Sequence, residues 1–108
     1  MRQLFPLSFW ILMFFILLFK SVFAAQGTVV VKNGGCDYFI VSTPKGYDLL
    51  EWYGGHDPDK DDVVVGDFER YGFHDIHDIT ADEGLRVWVE DYDLTSGDAM
   101  EKYGEECQ

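Results

Sequence analysis

Thr28-Val29-Val30-Val31-Lys32-Asn33-Gly34-Gly35-Cys36-Asp37-Tyr38-Phe39-Ile40-Val41-Ser42-Thr43-Pro44-Lys45-Gly46 is the stretch that decides the fold class of this chain. Three successive valines are stiff at χ1 and suit an extended strand better than a helix. The run stops at Asn33-Gly34, a pair that tolerates the positive φ of a type I′ hairpin turn. Cys36 to Thr43 then reads as the returning strand. On it Cys36, Tyr38 and Ile40 share one face, and Phe39 and Val41 the other. Thr43-Pro44-Lys45-Gly46 is a second tight turn, with proline pre-setting φ at its second position and glycine at its fourth. Two hairpins in so short a stretch make the chain antiparallel and mainly β.

The pattern continues outward. Tyr47 to Tyr53 is a third strand, with Tyr47, Leu49 and Tyr53 opposed to Leu50 and Trp52. Gly54 to Asp62 is a polar loop, Val63 to Phe68 a fourth strand, and Tyr71-Gly72-Phe73 leads into a short extended piece through Ile76 and Ile79. Leu85 to Tyr92 alternates most cleanly: Leu85, Val87 and Val89 point one way, and Arg86, Trp88, Glu90 and Tyr92 the other. Five or six short strands joined by tight turns predict a sandwich or small barrel.

The period then becomes helical. Ala99, Met100, Tyr103 and Cys107 recur on one side, and Asp98, Glu101, Lys102, Glu105 and Glu106 on the other. Thr95 or Ser96 can cap this helix. At about three turns it is too short to stand alone, so it must dock, and the pattern assigns the contact to Met100 and Tyr103. The segments 63–68, 71–75 and 85–89 resemble the three-strand meander of OB-fold barrels, with the N-terminal strands completing the barrel; an SH3-like order fits the same strands. The expectation is a five- to six-stranded barrel, SH3-like or OB-like, with one C-terminal helix.

Residues 1–25 read differently. Met1-Arg2-Gln3 is a short basic start, Leu4 to Phe19 is apolar except for Pro6 and Ser8, and Val22-Phe23-Ala24-Ala25 is a small-residue exit. Those are the parts of a cleaved secretory signal peptide, with the cut after Ala24 or Ala25. The apolar block is short for a membrane span. The domain is then residues 26–108, soluble and exported to a periplasm or the extracellular space. In such an oxidising compartment Cys36 and Cys107, the only two cysteines, are most simply one structural disulfide.

Arg2 and Lys20 are the only charges of residues 1–25, so residues 26–108 hold 6 of the 8 basic and all 20 acidic side chains, a net charge of −14. Binding to nucleic acid or anionic lipid draws on Lys and Arg, and this balance disfavours both. It favours a cationic protein partner, because complementary fields speed encounter. No nucleophile-elbow serine and no phosphate loop is present, and with twenty carboxylates a pair in a cleft discriminates nothing. The reading is non-enzymatic: a monomeric binding domain, an inhibitor or immunity-type protein against a basic enzyme.

Candidate partner-binding residues are Trp88 and Tyr92, which share a strand face, Trp52 of the adjacent pair Trp52-Tyr53, and the acidic loop residues Asp57, Asp59 and Asp61. The alternative function is metal binding. Asp57, Asp59 and Asp61 alternate as the first ligands of a calcium loop do, but Asp62 stands where that loop needs glycine and Phe68 where it needs glutamate. His74 and His77 have a spacing that binds Zn²⁺ or copper on a helical turn and points apart on a strand. His56 could join them only if two loops meet.

Overall fold

Six strands close on themselves in the computed structural model, which describes residues 24–108. They are β1 (Ala25–Lys32), β2 (Tyr38–Thr43), β3 (Gly46–Gly55), β4 (Val63–Gly66), β5 (Gly72–Asp78) and β6 (Glu83–Leu94). A single helix follows, α1 (Ser96–Glu106). The ring order is β1-β2-β3-β6-β5-β4, every pair antiparallel. Two three-strand meanders, β1-β2-β3 and β4-β5-β6, are thus sewn together by β3 against β6 and β1 against β4. The expected signal peptide lies outside the described residues. No helix among the described residues is long and apolar enough to cross a membrane.

The first meander follows the quoted stretch, with one correction at its first turn. Cys36 N–H donates to Asn33 O at 3.0 Å, but neither Asn33 nor Gly34 has the positive φ of a type I′ turn. The connection is a longer one that starts β2 at Tyr38 and leaves Cys36 outside the ladder. The second turn is as expected. Thr43 pairs with Gly46, and the Thr43 hydroxyl accepts from Lys45 N–H at 3.1 Å and donates to Gly46 O at 3.2 Å.

Alternation divides the apolar residues between two cores. Val29, Phe39, Val41, Leu50, Val64, Phe68, Ile76, Leu85, Val87 and Val89 fill the barrel interior. Ile40 and Leu49 point outward and are buried instead by Ala99 and Tyr103 of α1. Thr95 caps the helix, its Oγ1 accepting from Asp98 N–H at 3.2 Å. The docking residues differ from expectation: Met100 is 51% exposed, and Ala99 takes its place. A small side chain there lets the helix backbone approach the sheet. Cys36 and Cys107 form the disulfide, Cα atoms 5.6 Å apart, and tie the end of α1 to the entry of β2.

Barrel closure depends on Gly66, which pairs with both Ala25 and Ile76. Its φ is +155°, and a Cβ there would sit 2.5 Å from Ile76 Cγ2 and 3.0 Å from Ile76 Cα. Gly66→Ala must therefore push the β5 backbone away and also strain its own φ. We expect it to lower stability by about 2 kcal/mol, measured as the loss in urea-unfolding free energy of the oxidised chain.

Candidate functional site

Two groups of side chains stand out, one on the outer wall of the barrel and one at its end. The wall comes from strand alternation. α1 lies on β2 and β3 and reaches β6, so it covers only part of the outer surface. Beyond it, outward positions of three neighbouring strands meet: Tyr53 of β3, Arg86 and Glu90 of β6, and Phe73 and Asp75 of β5 are exposed, and Glu51 of β3 and Trp88 of β6 are half-buried. Register sets Trp88 beside Glu51 on one side and Phe73 on the other. Tyr53 and Phe73 meet edge to face at 4.8 Å, and Phe73 and Trp88 do the same at 4.8 Å.

The Arg86 guanidinium sits 5.2 Å above the Phe73 ring and ion-pairs with Asp75 at 3.5 Å. Tyr53 is 53% and Phe73 44% exposed, although a ring in water gains nothing for the fold from its exposed half. The result is an edge-to-face aromatic cluster with Glu51, Asp75 and Glu90 around it and Arg86 over its Phe73 ring.

Of the aromatic residues singled out in the sequence, Trp88 is the middle of this cluster. Tyr92 is not part of it; it packs against the barrel core and against Tyr71, 4.9 Å away. Trp52 also packs against the core, and its indole N–H donates to His56 O at 3.0 Å. Tyr53 is the member of the Trp52-Tyr53 pair that faces solvent. Phe73 was missed, because its place beside Trp88 follows from strand register and not from its own neighbours.

The second group lies where the β3–β4 loop meets the β5–β6 turn. Backbone hydrogen bonds knit the two together: His56 N–H donates to Gly84 O at 3.0 Å, and Ile79 N–H to Val63 O at 2.9 Å. Asp61 and Asp82 take left-handed φ values of 80° and 56° to make the bends, which Asp tolerates better than most residues. The bends bring His56, Asp62 and Asp78 together. His56 Nε2 lies 3.3 Å from Asp78 Oδ2 and 3.8 Å from Asp62 Oδ2, and His56 Nδ1 lies 2.9 Å from Glu83 Oε2.

Asp78 is fully buried and Asp62 nearly so. Each carboxylate is held from one side, Asp78 Oδ1 by Ala81 N–H at 3.0 Å and Asp62 Oδ2 by Asp59 N–H at 3.1 Å. Burial pushes the Asp78 carboxyl above the ordinary carboxylate range, and the Asp78 carboxyl in turn holds Asp62 below it. Two buried carboxyl groups so close cannot both ionise freely.

This is the group of three ligand-type residues whose donor atoms converge among the described residues, within 4.8 Å of one another. The five metal candidates read from the sequence are elsewhere. Asp57 ion-pairs with Lys32 at 2.8 Å, Asp59 and Asp61 face solvent, and the three do not converge. His74 and His77 sit on strand β5, three apart and so on opposite faces. Their Nε2 atoms go to Tyr71 O at 3.3 Å and Asp82 Oδ1 at 3.0 Å. The loops do meet at His56, but around carboxylates.

One further buried carboxylate is at the opposite end of the barrel. Asp48 faces inward with no exposed surface. Its Oδ1 accepts from Asp93 N–H at 2.9 Å, and its Oδ2 is buried without a hydrogen-bond partner. Burial, only partly offset by that N–H and reinforced by the Glu69 and Asp93 charges, pushes its pKa up to about 7. Burial likewise raises Glu69, with Asp93 beside it. No protein family, curated protein or solved structure matches the chain.

Proposed function

We propose that this chain is an exported, monomeric, non-enzymatic binding domain whose uncovered β3-β6-β5 wall docks a cationic protein, in the manner of an inhibitor or immunity-type protein. The observation that supports it is the Tyr53-Phe73-Trp88 cluster, stacked edge to face with Tyr53 and Phe73 exposed and Trp88 half-buried between its neighbours, inside a field set by a net charge of −14 over residues 26–108. Aromatic rings that lose little freedom on binding are the usual anchors of protein interfaces, and rim charges steer the encounter. Glu51, Asp75 and Glu90 supply such a rim to a lysine- or arginine-rich surface. A cut after Ala24 would leave Ala25 to pair with Gly66 in β1, which fits residues 1–24 as the export signal.

The test is direct binding of the oxidised chain to a panel of cationic secreted hydrolases. Affinity should fall steeply as salt rises from about 0.01 M to 1 M, over which the Debye length shrinks from about 30 to about 3 Å. Trp88→Ala and Phe73→Ala should each weaken binding by about 2 kcal/mol, roughly thirtyfold, with thermal midpoints showing that the variants remain folded. Glu51→Lys with Glu90→Lys should slow association and leave dissociation nearly unchanged. Binding that ignores these four residues would refute the assignment.

A further inference from the structure

We propose that His56, Asp62 and Asp78 bind one divalent transition-metal ion of the zinc class at the end of the barrel. The site is separate from the aromatic wall and does not rest on it. Three observations carry it. First, donors from two parts of the chain converge, His56 and Asp62 from the β3–β4 loop and Asp78 from the end of β5: Nε2 of His56 is 3.3 Å from Asp78 Oδ2 and 3.8 Å from Asp62 Oδ2. Bonds of about 2.0–2.2 Å at tetrahedral angles place neighbouring donors about 3.4 Å apart, so little movement is needed.

Second, two of those donor atoms are stranded. Asp78 Oδ2 and His56 Nε2 are buried, and neither has a hydrogen-bond partner; the Asp78 side chain has no exposed surface at all. A buried carboxylate oxygen and a buried ring nitrogen 3.3 Å apart, neither with a hydrogen-bond partner, are satisfied by a cation that both can bind.

Third, the imidazole is oriented from behind. Glu83 Oε2, 2.9 Å from Nδ1, accepts that N–H and so leaves the Nε2 lone pair directed at the two aspartates. A carboxylate behind a histidine is the usual support of a metal-ligating imidazole. The donor set of one nitrogen and two carboxylates suits zinc, which takes three protein ligands and a solvent molecule. Calcium would ask for six to eight oxygens. Glu83 is a positioning residue, acting through His56.

The competing arrangement is a protonated His56 bridging two aspartates with no metal, and experiment separates the two. The oxidised chain, stripped with EDTA and titrated with Zn²⁺ in high salt, should take up one ion per chain. Its unfolding midpoint should rise by about 10 °C or more at a hundredfold excess over Kd. Asp78→Asn keeps the oxygen that Ala81 N–H needs, so it should unfold in EDTA no earlier than the parent yet lose the Zn²⁺ response. Glu83→Gln should weaken Zn²⁺ binding about tenfold with its EDTA midpoint unchanged. His74→Gln with His77→Gln should bind as the parent does.

Zinc-edge absorption of the parent should show one imidazole and oxygen neighbours, a readout independent of any variant. No stoichiometric uptake by the parent, unchanged affinity in Asp78→Asn, two imidazoles at the metal, or a preference for Ca²⁺ over Zn²⁺ would each overturn the proposal.

Discussion

Replacing both Cys36 and Cys107 with alanine will remove about 4 kcal/mol of stability, the largest loss expected from any change outside the barrel interior. The bond joins residues 71 apart in sequence, so the open chain gains the freedom of almost the whole domain when it is removed. The local consequence is as large. α1 has 11 residues, too few to hold a helix in water without packing. It is seated by Ala99 and Tyr103 against Ile40 and Leu49, and the disulfide bolts its far end. In the variant this outer core should loosen before the barrel does. Urea unfolding will show the loss, and hydrogen exchange in residues 99–106 will show the helix opening first. A loss below about 1 kcal/mol would mean that the helix seats itself unaided.

Asp48→Asn is expected to stabilise the fold above neutral pH and to change nothing near pH 4. Asp48 has a native pKa of about 7 against an ordinary value of 3.8. Between those values the native state binds a proton that the unfolded chain has released, so stability falls as pH rises through that window and levels off above it. At about 1.4 kcal/mol for each pH unit, the ceiling on the loss is about 4 kcal/mol. Asparagine keeps the oxygen that accepts from Asp93 N–H and puts an N–H₂ where Asp48 Oδ2 has no partner, with Glu69 and Asp93 close by to accept.

The measurement is the difference in unfolding free energy between variant and parent from pH 4 to pH 8. That difference reports Asp48 and its immediate neighbours Glu69 and Asp93, whereas the parent profile also contains the raised Asp78 and Glu51 and the lowered Asp62. Asp62 is held low and stabilises in the opposite sense, losing its contribution as pH falls. A flat difference would show that Asp48 is ionised and satisfied in the native state.

β3 and β6 were legible from their alternation, β1 and β4 from their valine runs, and the Thr43–Gly46 turn from its proline and glycine. The second core was half legible. Ile40 and Leu49 read correctly as a face opposite Phe39 and Leu50, and helical spacing points to Met100 and Tyr103 as their partners; Tyr103 docks, but Ala99 takes the place of Met100. The His56, Asp62 and Asp78 group was not legible. Asp62 and Asp78 look like loop acids in a chain with twenty of them, and only the register of β5 and β6, with His77 opposite Gly84, sets Asp78 beside His56. One signal existed: Asp78 lies two residues after Ile76 and shares its inward face. Asp48 carried the same signal, sharing a face with Leu50 and Trp52. An acid on the apolar face of a strand is worth reading as a buried group, even when turn chemistry is close by.

The uncovered wall is the surface proposed here to dock the cationic partner. The most direct test is amide chemical-shift mapping of the oxidised chain on addition of the tightest binder from the cationic panel. Perturbed amides should cluster at residues 51–53, 72–75 and 86–90, and residues 96–106 should stay still. Shifts centred on α1 or on residues 57–61, with those three strands unmoved, would contradict that docking.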